Sequence, residues 1–130
     1  ELASLLLDTC TLLWLTADPS SLSSDATQAL DDESNELWVS DVSTLEIALK
    51  WSAGKLRLPA PPRTWFESQV ATWGLSTIGL RRTDIYRVTE LPTHHRDPFD
   101  RLLVAQALDR GFTIVTPDEA IAIYPVATLW

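Results

Sequence analysis

The chain has 130 residues, of which 45% are hydrophobic and 22% charged, a composition typical of one globular domain spanning residues 1–130. Its net charge of −8 argues against binding nucleic acid mainly through a basic surface, but not against an enzyme that acts on nucleic acid through bound cations. Cys10 is the single cysteine, so an internal disulfide is excluded; a lone thiol fits a reducing cytosol, and we expect a cytoplasmic protein. We expect no membrane association, because the early apolar run at residues 5–7 is cut short by Asp8.

The first half of the chain alternates short apolar runs with helical segments. The run at residues 5–7 is typical of a buried strand, and Gly54 is placed to end a helix. Strands are therefore predicted at residues 5–7 and 37–39, and helices at residues 11–16, from 23 or 24 to 32, and 42–52.

The second half continues the alternation. Thr64 and Glu67 fit a capping box, and Asp97 followed by Pro98 combines an N-cap residue with proline at the first helical position. Helices are predicted at residues 64–74, 83–91 and 97–111 and from residue 116 onward, and strands at residues 75–78, 112–115 and 126–130. Short apolar strands alternating with helices indicate an α/β fold with a parallel sheet covered on both faces.

Four carboxylates lie where such a sheet forms sites. Asp8 directly follows the first strand, and Asp118 lies three residues past the end of the fourth at Val115. Glu46 and Asp100 lie on the helices that follow the second strand and precede the fourth. Because sites in parallel sheets form beyond the carboxyl ends of the strands, these side chains are predicted to meet at one edge. Carboxylate oxygens suit Mg²⁺ or Mn²⁺, which can activate a water for attack on a phosphodiester.

Each of these acids also has a purely structural interpretation. Glu46 could complete a capping box with Ser43, or pair with Lys50 one helical turn later. The other three, Asp8, Asp100 and Asp118, could each serve only to stabilise a helix N-terminus.

Three further residues carry metal-binding or reactive side chains, but each is predicted to have a structural role only. His94 and His95 are adjacent, so their side chains point in different directions, and a surface loop is favoured over metal ligation. Cys10 is interpreted as a buried helix thiol rather than a reactive one.

Several segments resemble the VapC-type toxins of the PIN-domain family, nearly end to end and in order. The segments are LLLDT at residues 5–9, LEIA at 45–48, GKL at 54–56, HRDPFDRLL at 95–103, VTPD at 115–118 and the closing LW at 129–130. The resemblance implies a three-layer α/β/α domain with a mostly parallel central sheet. It also implies a Mg²⁺- or Mn²⁺-dependent endoribonuclease, the toxin half of a bacterial toxin–antitoxin pair.

The resemblance also implies roles for residues and partners. The acidic site would comprise Asp8, Glu46, Asp100 and Asp118, with Thr116 supporting it. RNA would be the substrate, a cognate antitoxin would neutralise the protein, and a homodimer is expected. Members with this opening often have His where this chain has Cys10.

An acidic site repels RNA, so phosphate contacts must come from basic residues near the motifs. The candidates are Lys50, Lys55, Arg57, Arg96 and Arg101. Arg101 follows Asp100 directly, so neutralising the site or meeting the antitoxin is an alternative for it.

Two other functions remain to be weighed against the ribonuclease. A non-catalytic module of the same fold could bind RNA or a protein, but it would have no chemical need for all four carboxylates. An aspartyl phosphatase ranks third, because such enzymes usually need a second carboxylate where this chain has Cys10.

Overall fold

The computed structural model describes residues 2–130 and contains a five-stranded parallel sheet in the order β3-β2-β1-β4-β5. At its centre, β1 (Ser4–Leu7) pairs with β2 (Glu36–Ser40) on one side and β4 (Thr113–Val115) on the other. The edges are β3 (Ser76–Ile78) and β5 (Thr128–Leu129), both also parallel to their neighbours. The carboxyl ends of all five strands therefore lie along one edge of the sheet.

Seven α-helices are present in residues 2–130, and none of them is long and apolar enough to cross a lipid bilayer. They are α1 (Thr9–Ala17), α2 (Ser24–Asp31), α3 (Asp41–Ser52), α4 (Pro62–Trp73), α5 (Arg82–Glu90), α6 (Pro98–Arg110) and α7 (Glu119–Ala122).

The central strand shows why both faces of the sheet are covered. Successive side chains of a strand point to opposite faces, and the three leucines of β1 divide between two cores. Leu5 and Leu7 pack with residues of α1, α2 and α4, whereas Leu6 packs with residues of α6 and α7. The structure confirms the predicted α/β fold with three layers, α/β/α.

Helix starts account for most differences from the predicted elements. The capping box at Thr64 is wrong: α4 begins at Pro62 after Pro61, because proline presets the helical φ angle and needs no backbone donor. Likewise α1 begins at Thr9 rather than at residue 11, because Asp8 caps it. The last strand contains only two residues of the five predicted.

A buried polar network joins α5 and α6 to the end of β2. Asp84 is fully buried and accepts from the guanidinium of Arg110 at 3.1 Å and from the amide of Gln106 at 3.1 Å. Burial alone would raise the pKa of Asp84, but these hydrogen bonds and one from the Arg81 backbone hold it below its usual range. Gln106 also accepts from the hydroxyl of Ser40, the N-cap of α3. The network thereby fixes α3 and α6 relative to each other.

Candidate active site

A cleft of about 360 Å³ lies at the carboxyl edge of the sheet, beside the ends of β1 and β4. All four predicted carboxylates line it, although they come from four distant parts of the chain. Its lining residues include Asp8, Thr9, Cys10, Glu46, Lys50, Asp97, Asp100 and Asp118.

Asp8 both caps a helix and lines the cleft. Its side chain accepts from the backbone N–H of Thr11 at 2.8 Å, and the residue is only 4% exposed. Burial raises the pKa of Asp8, while hydrogen bonds from Thr116 and Thr11 partly oppose the rise. The negative charge of Asp118 adds to the rise, but it is a smaller cause than burial. The capping interpretation and the site interpretation therefore hold together.

Glu46 is held by one neutral donor and one cation. Thr9 Oγ1 donates to Oε1 at 2.7 Å, and Lys50 Nζ donates to Oε2 at 2.8 Å. The ion pair is the main reason that the pKa of Lys50 is raised. Of the two structural alternatives, the pairing with Lys50 is observed. The capping box with Ser43 is wrong, because α3 begins after Ser40 and Ser43 lies inside it.

Asp100 lies close to His95 and Asp97, two residues that were expected in a surface loop and at a helix N-cap. His95 Nε2 lies 2.9 Å from Asp100 Oδ2, and one ligand atom each of His95, Asp97 and Asp100 lie within 4.8 Å of one another. Burial, then the negative charge of Asp97, raises the pKa of Asp100 to about 6, and the hydrogen bond with His95 opposes that rise. His95 lies in the loop before α6, as expected, but its imidazole contacts a carboxylate that lines the cleft. His94 instead packs edge-on against Tyr124 at a ring distance of 5.2 Å.

Asp118 and Thr116 are fixed by the turn after β4. Asp118 is the N-cap of α7 and accepts from the backbone N–H of Ala120 at 2.9 Å. Its own N–H donates to the hydroxyl of Thr116 at 3.0 Å. Thr116 is 4% exposed, and its side chain lowers the pKa of the neighbouring Asp8 carboxyl. Thr116 therefore lies beside the carboxyl group of Asp8 and accepts from the backbone of Asp118.

The five basic candidates differ in environment. Lys50 lines the cleft, and Lys55, Arg57 and Arg96 are exposed. Arg101 is not free at the rim. Its guanidinium donates to the carbonyls of Val88 at 2.8 Å and Pro92 at 2.9 Å and to the hydroxyl of Tyr124 at 3.0 Å. These bonds brace the segment that precedes α6, so Arg101 does not fit the expectation of an RNA contact.

Cys10 also lines the cleft, but its thiol is not in the reactive, ionised form. Partial burial, then the negative charge of Asp8, raises the pKa of its thiol to about 11. Since the thiolate is the reactive form of cysteine, Cys10 stays a neutral thiol at physiological pH.

Comparison with known proteins assigns the chain to a family. The sequence model described as "PIN domain" matches residues 5–126. The chain is also 31% identical over 121 residues to Ribonuclease VapC22 of Mycobacterium tuberculosis, covering 92% of this chain and 91% of that protein.

Solved structures with low sequence identity share the fold. VapBC2 from Rickettsia felis, solved bound to a DNA fragment from its promoter, superposes with a TM-score of 0.70 at 13% identity and covers 96% of both chains. DNA-bound VapBC from Salmonella typhimurium gives 0.68 at 14% identity, covering 97% of this chain and 96% of that chain. FitAcB from Neisseria gonorrhoeae gives 0.56 at 16% identity and covers 95% of each.

Proposed function

Because this chain belongs to the PIN-domain family and is of VapC type, we propose that it is a Mg²⁺- or Mn²⁺-dependent endoribonuclease. The observation that carries the proposal is the convergence of Asp8, Glu46, Asp100 and Asp118 on one cleft. The identity to a protein named a ribonuclease, over most of both chains, supports the same activity. A binding module would have no chemical need for all four carboxylates in one cleft.

The residues in the cleft fit a small divalent ion. Mg²⁺ and Mn²⁺ prefer carboxylate oxygens, and a few carboxylates with bound waters suffice to hold them. An ion held by Asp8, Glu46, Asp100 and Asp118 would supply an activated water and stabilise the leaving oxygen of the phosphodiester. The nearby His95 imidazole suits Mn²⁺ better than Mg²⁺, since borderline metals accept nitrogen ligands.

The chain's own contribution is to hold these oxygens in fixed positions. Thr9 donates to Glu46, the backbone N–H of Thr11 donates to Asp8, and the backbone N–H of Ala120 donates to Asp118. Such hydrogen bonds from neighbouring groups fix ligand orientation before any ion arrives. Packing of β1 between two layers keeps the first carboxylate in place.

Contacts to RNA phosphates require positive charges, which the four carboxylates cannot supply. We assign backbone phosphate contacts to Lys50, Lys55, Arg57 and Arg96, whose charges lie in the cleft or on the surface. Arg101 is left out of this set because its donors already bind the loop and Tyr124.

We further propose a cognate antitoxin as partner and a cytoplasmic homodimer as the assembly. Structures that share the fold include VapBC and FitAcB proteins, which supports a two-component system. On α3, Leu45 is 48% exposed and Leu49 is 52% exposed, and apolar side chains at such exposure favour burial against another chain. Sedimentation at tens of micromolar should give a dimer mass; a monomer at about that concentration would contradict the assembly.

The activity is tested with total bacterial RNA in Mg²⁺, in Mn²⁺ and in chelator, followed by mapping of new ends. A discrete set of ends that requires metal is expected. The Asp8→Asn variant serves as the inactive control, because asparagine keeps the helix cap and removes the charge. RNA that is bound but never cut would instead support the non-catalytic module.

A further inference from the structure

The ammonium of Lys50 lies inside the acidic cleft and occupies one oxygen of a carboxylate assigned to the metal. Lys50 Nζ is 2.8 Å from Glu46 Oε2, and the two residues are one helical turn apart on α3. The side chain of Lys50 is 51% exposed, whereas that of Glu46 is 10% exposed. The lysine is therefore the movable member of the pair.

The two oxygens of Glu46 are held in different ways. Oε1 accepts from the hydroxyl of Thr9, a residue only 8% exposed that begins α1. Thr9 is fixed by its position in the fold and carries no charge, so it can remain in place when a cation approaches Oε1 or Oε2. Only the lysine interaction has to give way, because an ammonium and a divalent ion on one carboxylate repel each other.

Release of the lysine leaves no buried charge unpaired, because the arriving ion takes its place on Glu46. Lys50 is half-exposed, and the four-carbon stem of lysine is flexible. The stem reaches from α3 into a cleft whose other walls carry Asp97, Asp100 and Asp118. An ammonium that leaves Glu46 thus stays tethered at the mouth of the same cleft, where a phosphate of bound RNA would lie.

We infer that Lys50 is an exchangeable cation, which neutralises Glu46 until a divalent ion takes that carboxylate and then contacts an RNA phosphate. The inference rests on the proposed function, because it takes its metal and its substrate from there. Metal binding and phosphate binding become coupled, since each bound ion frees one positive charge for RNA. By linkage, RNA must raise metal affinity by the same factor.

Calorimetric titration with Mn²⁺ alone tests the exchange without any activity measurement. Lys50→Met should raise the Mn²⁺ affinity by about three- to tenfold, because the competing ammonium is gone. Lys50→Arg keeps the charge and should stay near the native affinity. The matched control is Arg63→Met on α4, which removes one charge at an exposed position and should change affinity by less than about twofold. An affinity for Lys50→Met that is unchanged or weaker would overturn the exchange.

A second measurement tests the phosphate contact, with a single-stranded oligodeoxynucleotide as an uncleavable probe. In native protein, the salt dependence of binding should steepen in Mn²⁺ relative to chelator by about 0.7 in log–log slope, the value for one phosphate contact. In Lys50→Met the two slopes should be equal. Equal slopes in native protein would refute the phosphate half of the inference. A protein with Lys50-dependent Mn²⁺ affinity that cuts no RNA would refute the nuclease function alone.

Discussion

Replacing Asp100 with asparagine should make the protein more stable at neutral pH while abolishing cleavage. Its side chain is 18% exposed, and its pKa is raised from 3.8 to about 6. A rise of this size means that ionised Asp100 costs about 3 kcal/mol of folding free energy at pH 7. Asparagine removes that cost but also loses a favourable acid near a helix N-terminus, about 0.3–1 kcal/mol. The unfolding free energy should therefore increase by about 2 kcal/mol.

The pH dependence has a definite sign. A raised folded-state pKa gives stability that is fully present below the unfolded value of 3.8 and is lost as pH rises through about 6. Between pH 5 and 7.5, in chelator, the native protein should lose about 1.5 kcal/mol relative to the Asp100→Asn variant. The effect should shrink when Mg²⁺ or Mn²⁺ is added, because an ion stabilises the charged form.

Urea unfolding at several pH values, with and without metal, measures these differences. Asp25→Asn is the matched control, because Asp25 is an exposed acid in the first turn of α2. It should lose a few tenths of a kcal/mol to about 1 kcal/mol, with no response to metal. If Asp100→Asn behaves like this control, Asp100 only stabilises a helix terminus and the reasoning fails.

Three further predictions distinguish residues of the site from residues that only stabilise the fold. Asp8→Asn should abolish RNA cleavage and leave the thermal melting of the chelated protein unchanged or higher, because asparagine caps helices well and removes a buried charge. Asp84→Asn should lower the urea-unfolding free energy by about 3 kcal/mol, because it breaks a buried ion pair, whereas Asp109→Asn at a looser, more exposed pair should change it by less than about 1 kcal/mol. The double variant Lys55→Ala, Arg57→Ala should reduce the slope of log RNA affinity against log salt concentration by about 1.4. An unchanged slope would show that these two residues do not contact RNA phosphates.

The sheet, and the placement of four carboxylates at its carboxyl edge, could be predicted because the sequence signals for them are local. The run at residues 5–7 is wholly apolar and ends in a carboxylate, which indicates a buried strand whose end faces a site. The dipeptide Asp97-Pro98 begins α6 as predicted, because both residues favour a helix start by their own geometry. Once the strands are parallel, topology alone brings their carboxyl ends together.

Contacts that depend on tertiary packing could not be predicted in the same way. Arg101 stands beside Asp100 in sequence, yet the helix directs its side chain to Val88 and Tyr124, 13 and 23 residues away. His95 could have been linked to Asp100 only through the bend that the loop makes before α6. The spacing of five residues between them was visible, but spacing in a loop does not fix distance.

Buried carboxylates at this site destabilise the fold, so the rest of the structure must be well packed. Burial, more than mutual repulsion, is the main reason that the pKa values of Asp8 and Asp100 are raised, so the cost arises from placing carboxylates where water is scarce. That cost must be offset by apolar packing elsewhere. Strand β1 provides such packing, because Leu5, Leu6 and Leu7 are each no more than 2% exposed. The strand that directly precedes the first carboxylate is thus itself deeply buried. Weakening its packing should therefore disturb metal binding before it unfolds the protein, because the carboxylates are the groups that the fold holds against an unfavourable charge.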